Sequence, residues 1–192
     1  MNDSSTGGFL LPTNDAPLND EALDSLFQDF FAALTGLARP FVRERFTAEP
    51  QVPPDGGATW AAVGVIAIRD DQFAQQEMQD DGQYRLTRHE LLDVQCSFYG
   101  AMAQKAARMA RNNILIAQNR DFIDAAGIVF MSASDPVKAP VLIQTRWANR
   151  IDVTFTFRRA LVDTYAILSI EGADLTIATD TGPTRAVTVT SN

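Results

Sequence analysis

Trp147-Ala148-Asn149-Arg150-Ile151-Asp152-Val153-Thr154-Phe155-Thr156-Phe157 holds the most regular alternation in the chain. Ile151, Val153, Phe155 and Phe157 share one parity, and Arg150, Asp152, Thr154 and Thr156 share the other. Successive strand side chains point to opposite faces, so the segment reads as a β-strand with one face on a core and one left to water or a partner. Upstream the period changes. Leu23, Leu26, Phe27, Phe30, Phe31, Leu34 and Leu37 recur at three and four residues, which makes one stripe of a helix apolar and packs it on a core. Asn19 suits the cap, Asp20 and Glu21 the positive end of the dipole, and Leu18 a staple onto Leu23, while Gly36 and Pro40 close the helix.

Between these elements, Thr59–Arg69 and Tyr84–Phe98 are strand-like, the second with Tyr84, Leu86, Leu92, Val94, Cys96 and Phe98 on one parity. They are expected to form a hairpin with a long acidic tip over residues 70–82, carrying Asp70, Asp71, Glu77, Asp80 and Asp81 and closed by Asp81-Gly82. The Pro- and Gly-rich stretch Thr47–Gly57 is an extended connector. Gly100–Asn112 is expected to be a second helix, with Lys105, Arg108 and Arg111 as a basic stripe on a solvated face. A short helical turn over Asp121–Ala126 and a short buried strand over Ile128–Met131 follow. Val162–Val189 reads as strand pieces ending in an arm, and residues 1–18 as a flexible arm with a sticky spot at Phe9-Leu10-Leu11. The order is helix, hairpin, helix, two strands, then an extended tail, in one domain with tails. The expected divisions are an arm at 1–18, a domain at 19–170 and an extended arm at 171–192.

With 192 residues, 46% hydrophobic and 21% charged, the chain suits one ordinary core. No window approaches the roughly 20 apolar residues of a membrane helix, and the first residues lack the basic start of a signal peptide, so a cytoplasmic, non-membrane protein is expected. A single cysteine and a single histidine leave no internal disulfide and no zinc set of the usual kind. A formal charge of -8 argues against DNA as a specific ligand, because phosphate binding rests on clustered cations.

An enzyme would start from His89-Glu90 near Cys96 and Ser97. His89 and Cys96 lie on opposite parities, and seven residues of strand separate them by roughly 23 Å. Gly56-Gly57 lies in the connector and Gly64 inside a strand, so neither opens a phosphate-binding helix. Asp70-Asp71 and Asp80-Asp81 lack the spaced ligands of a calcium loop and read as charged surface. No catalytic set, metal or cofactor is therefore expected, and the chain reads as a non-enzyme.

Taken in order, Trp60-Ala61-Ala62-Val63-Gly64, Arg88-His89-Glu90, Phe98-Tyr99-Gly100, Gln118-Asn119-Arg120 and Trp147-Ala148-Asn149-Arg150-Ile151-Asp152, closed by Phe155-Thr156-Phe157-Arg158-Arg159, resemble the landmarks of a phage neck or tail-terminator family. The resemblance covers about residues 45–160. It implies an α/β fold of the α+β kind, a single compact domain with a mixed, mainly antiparallel sheet and a long hairpin, backed by two helices. It also implies a virion structural protein that forms a hexameric ring on the last ring of the tail tube, stops its growth and offers a surface for head–tail joining. The implied partners are further copies of the chain, the tube protein, head-completion or connector proteins and, in a contractile tail, the sheath protein, with DNA passing through unbound.

On this reading the 70–82 tip faces the tube or the channel, and Arg150, Arg158 and Arg159 serve a subunit interface, with Arg150 and Arg158 on one strand face toward a neighbour's carboxylates. Tyr99 and Trp147 are candidate anchors, with Trp147 expected in the core. Two other readings stay open: another neck component, such as a head-completion or adaptor protein, and a small soluble ligand-binding or enzymatic α/β domain.

Overall fold

The computed structural model describes residues 3–46, 57–79, 83–143, 146–167, 172–177 and 185–190. The apolar stripe forms helix α1 (Asp20–Thr35), which stops at Gly36. There φ is 69°, and the Gly36 N–H donates back to Ala32 O at 2.9 Å, the left-handed stop that glycine adopts most easily. Next come β1 (Val42–Glu44), β2 (Trp60–Asp70), β3 (Gln75–Met78) and β4 (Tyr84–Tyr99), then α2 (Ala103–Asn113) and α3 (Ala117–Asp124). The chain continues through β5 (Ile128–Ala133), β6 (Val137–Lys138), β7 (Val141–Ile143), β8 (Arg146–Ala148), the long β9 (Arg150–Tyr165), β10 (Gly172–Ile177) and β11 (Arg185–Thr190).

The main sheet is mixed and has seven strands in the order β1-β2-β4-β9-β5, with β3 also paired to β4 and β6 to β9. β1 runs parallel to β2, while β4 on β2 and both β5 and β6 on β9 are antiparallel. This is the α+β class that the resemblance implies. The chain divides into two compact units, one of Pro17–Ala74 and Thr87–Val162, the other of Met1–Ala16, Gln75–Leu86 and Asp163–Asn192.

In the larger unit α1 lays its stripe on the apolar parity of β9. Phe27 meets Phe157 at 4.9 Å between ring centroids and Phe31 meets Phe155 at 4.7 Å, both tilted. All four rings are fully buried, together with Leu92, Val94, Cys96 and Phe98 of β4. Each buried Phe contributes roughly 1.5–3 kcal/mol by transfer alone, and well-placed ring pairs about 0.5–1.5 kcal/mol more.

Two local expectations are corrected. Asn19 makes no side-chain cap on α1, because its Oδ1 instead accepts from Arg159 Nη2 at 2.9 Å. The Ile128–Met131 strand is not buried throughout: Ile128 is, but Val129 and Met131 are about half exposed, since β5 is the outermost strand of its side of the sheet. Within the described part of the 70–82 tip, Gln75–Met78 forms β3.

In the smaller unit β3 pairs with β4, and Gln79 N donates to Gln83 O at 2.8 Å. The N-terminal stretch is tied there too: Thr13 N donates to Thr164 O at 2.7 Å and Ser4 N to Ala166 O at 3.2 Å. β10 and β11 form an antiparallel pair from Gly172↔Thr190 to Ile177↔Arg185. The connector expected over Thr47–Gly57 lies outside the described residues except for Gly57.

Candidate functional site

Three of the sequence landmarks, those containing Trp60, Tyr99 and Asn149, meet at one end of the β2–β4 pair in the larger unit. Trp60 and Tyr99 are cross-strand partners, and their rings stack at 4.1 Å with 8° between planes. The next residue, Gly100, has φ 96°, and a Cβ there would sit 2.8 Å from Ala58 O, so a larger residue would be both strained and crowded. Its N–H donates to Asn149 O at 3.1 Å, which joins the Phe98-Tyr99-Gly100 landmark to the one beginning at Trp147.

Arg150 lies with its guanidinium 5.8 Å from the centre of the Tyr99 ring. It is held by its own chain, donating to both oxygens of Asp152 at 2.7 and 2.6 Å. Hydrogen bonding to Asp152 raises its pKa further, against the opposing effect of burial. Arg150 is thus already neutralised within the monomer.

Arg159, expected beside Arg150 and Arg158 at an interface, is buried instead. Its Nε donates to Glu90 Oε2 at 2.8 Å, Nη2 to Asn19 Oδ1 at 2.9 Å and Nη1 to Leu18 O. Its parity puts it on the core side of β9, where a cation requires such partners, and it ties the start of α1 to two strands. Arg158, one residue earlier, is exposed. Trp147, expected in the core, is 73% exposed, because it belongs to β8 and pairs with Leu142 of β7 rather than continuing β9. Asp70 faces Arg88 at 3.6 Å, Asp71 and Glu77 are exposed, and Asp80 and Asp81 lie outside the described residues. Arg120 and Asn119, from another landmark, donate to Ile114 O at 2.9 Å and Asn113 O at 2.8 Å and so fasten the turn between α2 and α3.

A groove of about 610 Å³ lies between α2 and the β6 segment. Lys105, Arg108, Arg111 and Lys138 line its walls, and Pro136 and Ile151 add apolar surface. The basic stripe of α2 therefore borders a concave surface rather than a plain solvated face. The chain has two lysines, and both are here.

Cys96 is fully buried, and burial pushes its thiol pKa well above the ordinary value. Among the described residues no group of three or more His, Cys, Asp or Glu side chains could hold a metal ion, and no helix is long and apolar enough to cross a membrane.

The model of a family described as phage neck terminator protein matches residues 21–182 of the 192. The chain belongs to this family. Membership makes the protein a structural component of the phage neck and places it in the tail and neck of the virion. No curated protein matches the chain. The terminator match reaches beyond the 45–160 stretch that carries the short motifs, taking in α1 and the segment after β9. In this neck terminator several landmark residues shape the fold: Gly100 and Asn149 lock two loops, Glu90 holds Arg159, and Arg120 closes a helical turn.

Proposed function

We propose that the chain is a ring subunit, six copies of which close on the head-proximal end of the tail tube, stop its polymerisation and present the surface to which head-completion or connector proteins join. The observation that carries this reading is the terminator-family match over residues 21–182. Surface chemistry supports it: Trp147, Phe73 and the outer strand β5 expose apolar side chains of the kind that assembly contacts cover. The ring works without catalysis, a reading supported by the burial and raised pKa of the Cys96 thiol. A charge of -8 per copy lets DNA pass, because an acidic wall does not neutralise phosphates. In this assembly the acidic 70–82 segment and Arg158 are contact surfaces.

The test is a phage lacking this protein. Tail tubes of uncontrolled length without heads are expected; tails of normal length that only fail to join heads would point to an adaptor instead. Light scattering of the purified protein should give the mass of six chains.

A further inference from the structure

The groove beside α2 concentrates positive charge in an otherwise acidic protein. Both lysines of the chain, Lys105 and Lys138, line it together with Arg108 and Arg111. Among the described residues Arg111 alone of the four has an ion-pair partner, Asp135 at 3.3 Å, and that carboxylate is itself 96% exposed. Lys105, Arg108 and Lys138 are exposed and face no carboxylate among the described residues. Like charges gathered without counter-charges repel one another, a cost that an acidic occupant relieves. Pro136 and Ile151 give the same groove an apolar patch.

The chain carries one segment with the matching chemistry. Residues 70–82 contain Asp70, Asp71, Glu77, Asp80 and Asp81 and no Lys or Arg. Within it Phe73 is 82% exposed, two residues after the exposed Asp71. An aromatic ring beside carboxylates fits an apolar patch walled by cations, the ring giving contact area and the charges fixing orientation. Among the described residues no ion pair joins these carboxylates to the groove within one chain.

We infer that the groove is the docking site for the acidic 70–82 segment of a second copy, with Phe73 seated toward Ile151 and Pro136 and Asp71 toward Lys105 and Arg108. Such a contact uses different surfaces on its two sides, the kind that builds a closed ring when its rotation closes. The inference rests on the ring reading and assigns the 70–82 segment to the neighbouring subunit rather than to the tube.

With two lysines, the chain lends itself to a direct test. An equimolar mixture of isotope-labelled and unlabelled full-length protein is assembled, treated with a zero-length carbodiimide and digested for mass spectrometry. Mixed-isotope links from Lys105 or Lys138 to Asp70, Asp71, Glu77, Asp80 or Asp81 are expected. Lys105→Glu with Arg108→Glu, both exposed positions, should weaken assembly at least about tenfold with an unchanged circular dichroism spectrum, and added Asp71→Lys with Glu77→Lys should restore it.

Rings that form in the wild type without these links, or that survive the charge reversal, overturn the groove assignment and leave the ring reading standing. A wild-type chain that stays monomeric overturns both. Duplex DNA held by the wild type and released by the charge reversal gives the groove to phosphates and overturns the assignment.

Discussion

Arg159 and Glu90 form an ion pair at 2.8 Å inside the larger unit, their side chains 6% and 9% exposed. Removing one partner strands the other charge away from water, at a typical cost of about 3–5 kcal/mol, whereas replacing both by apolar residues costs far less. Arg159→Met and Glu90→Leu are each expected to lower the unfolding free energy by that amount in urea titrations. The double variant should recover most of the loss. A loss in the double variant equal to the sum of the two single losses would show that the residues do not act as a pair.

Gly36 and Gly100 separate strain from crowding. Both have positive φ, but a Cβ on Gly36 meets nothing within 4 Å, while on Gly100 it meets Ala58 O at 2.8 Å. Gly36→Ala should cost about 1–2 kcal/mol from the left-handed backbone alone. Gly100→Ala should cost more, since the Ala58 backbone must also move. Urea midpoints of the two variants decide the order.

Asp24 sets a pH dependence. Desolvation by burial, the larger effect, raises its pKa above 3.8, although its Oδ1 accepts from Val65 N at 3.0 Å and that bond acts the other way. A raised carboxyl pKa favours the protonated folded state, so this contribution to stability is complete below the unfolded value near 3.8 and is lost as pH rises through the folded value. Asp24→Asn keeps an acceptor for Val65 and removes the ionisation. The variant should match the wild type at the acid end and exceed it at neutral pH, as read from urea midpoints across that range. A variant less stable at neutral pH would contradict this.

Cys96 should be silent toward thiol reagents in the native protein, being fully buried with a raised pKa. Labelling by a disulfide reagent is expected only in denaturant, following the unfolding curve. Rapid reaction in buffer would show that the β4 core opens locally.

Trp147, at 73% exposure, should be dispensable for folding. Trp147→Ala is expected to shift stability by no more than about 0.5 kcal/mol. Light scattering should nevertheless show weaker assembly if the ring buries the indole.

The elements were legible where local period and burial coincide. Phe155 and Phe157 are buried on the parity that their alternation requires, Phe27, Phe30 and Phe31 on the helical stripe, and Gly36 stops α1. Trp147 misleads because the alternation runs unbroken through Asn149, whereas the backbone changes partners there, from β7 to the main sheet. Asn19 misleads because a buried guanidinium competes for its oxygen.

Taken alone, the sequence determined the fold class, the core parity of β9, the helix α1 and, through short motifs, the terminator family, since each rests on neighbours within a few residues or on their order along the chain. Tertiary structure decided that Arg159 is buried while Arg158 is exposed, because Glu90, 69 positions away, supplies the counter-charge. It also decided that Lys105 and Lys138 share one groove, because β6 pairs with β9 at Lys138↔Ile151 and Ile151 borders the α2 stripe. Charge pairing and concavity depend on distances in space, and separation along the chain does not encode those distances.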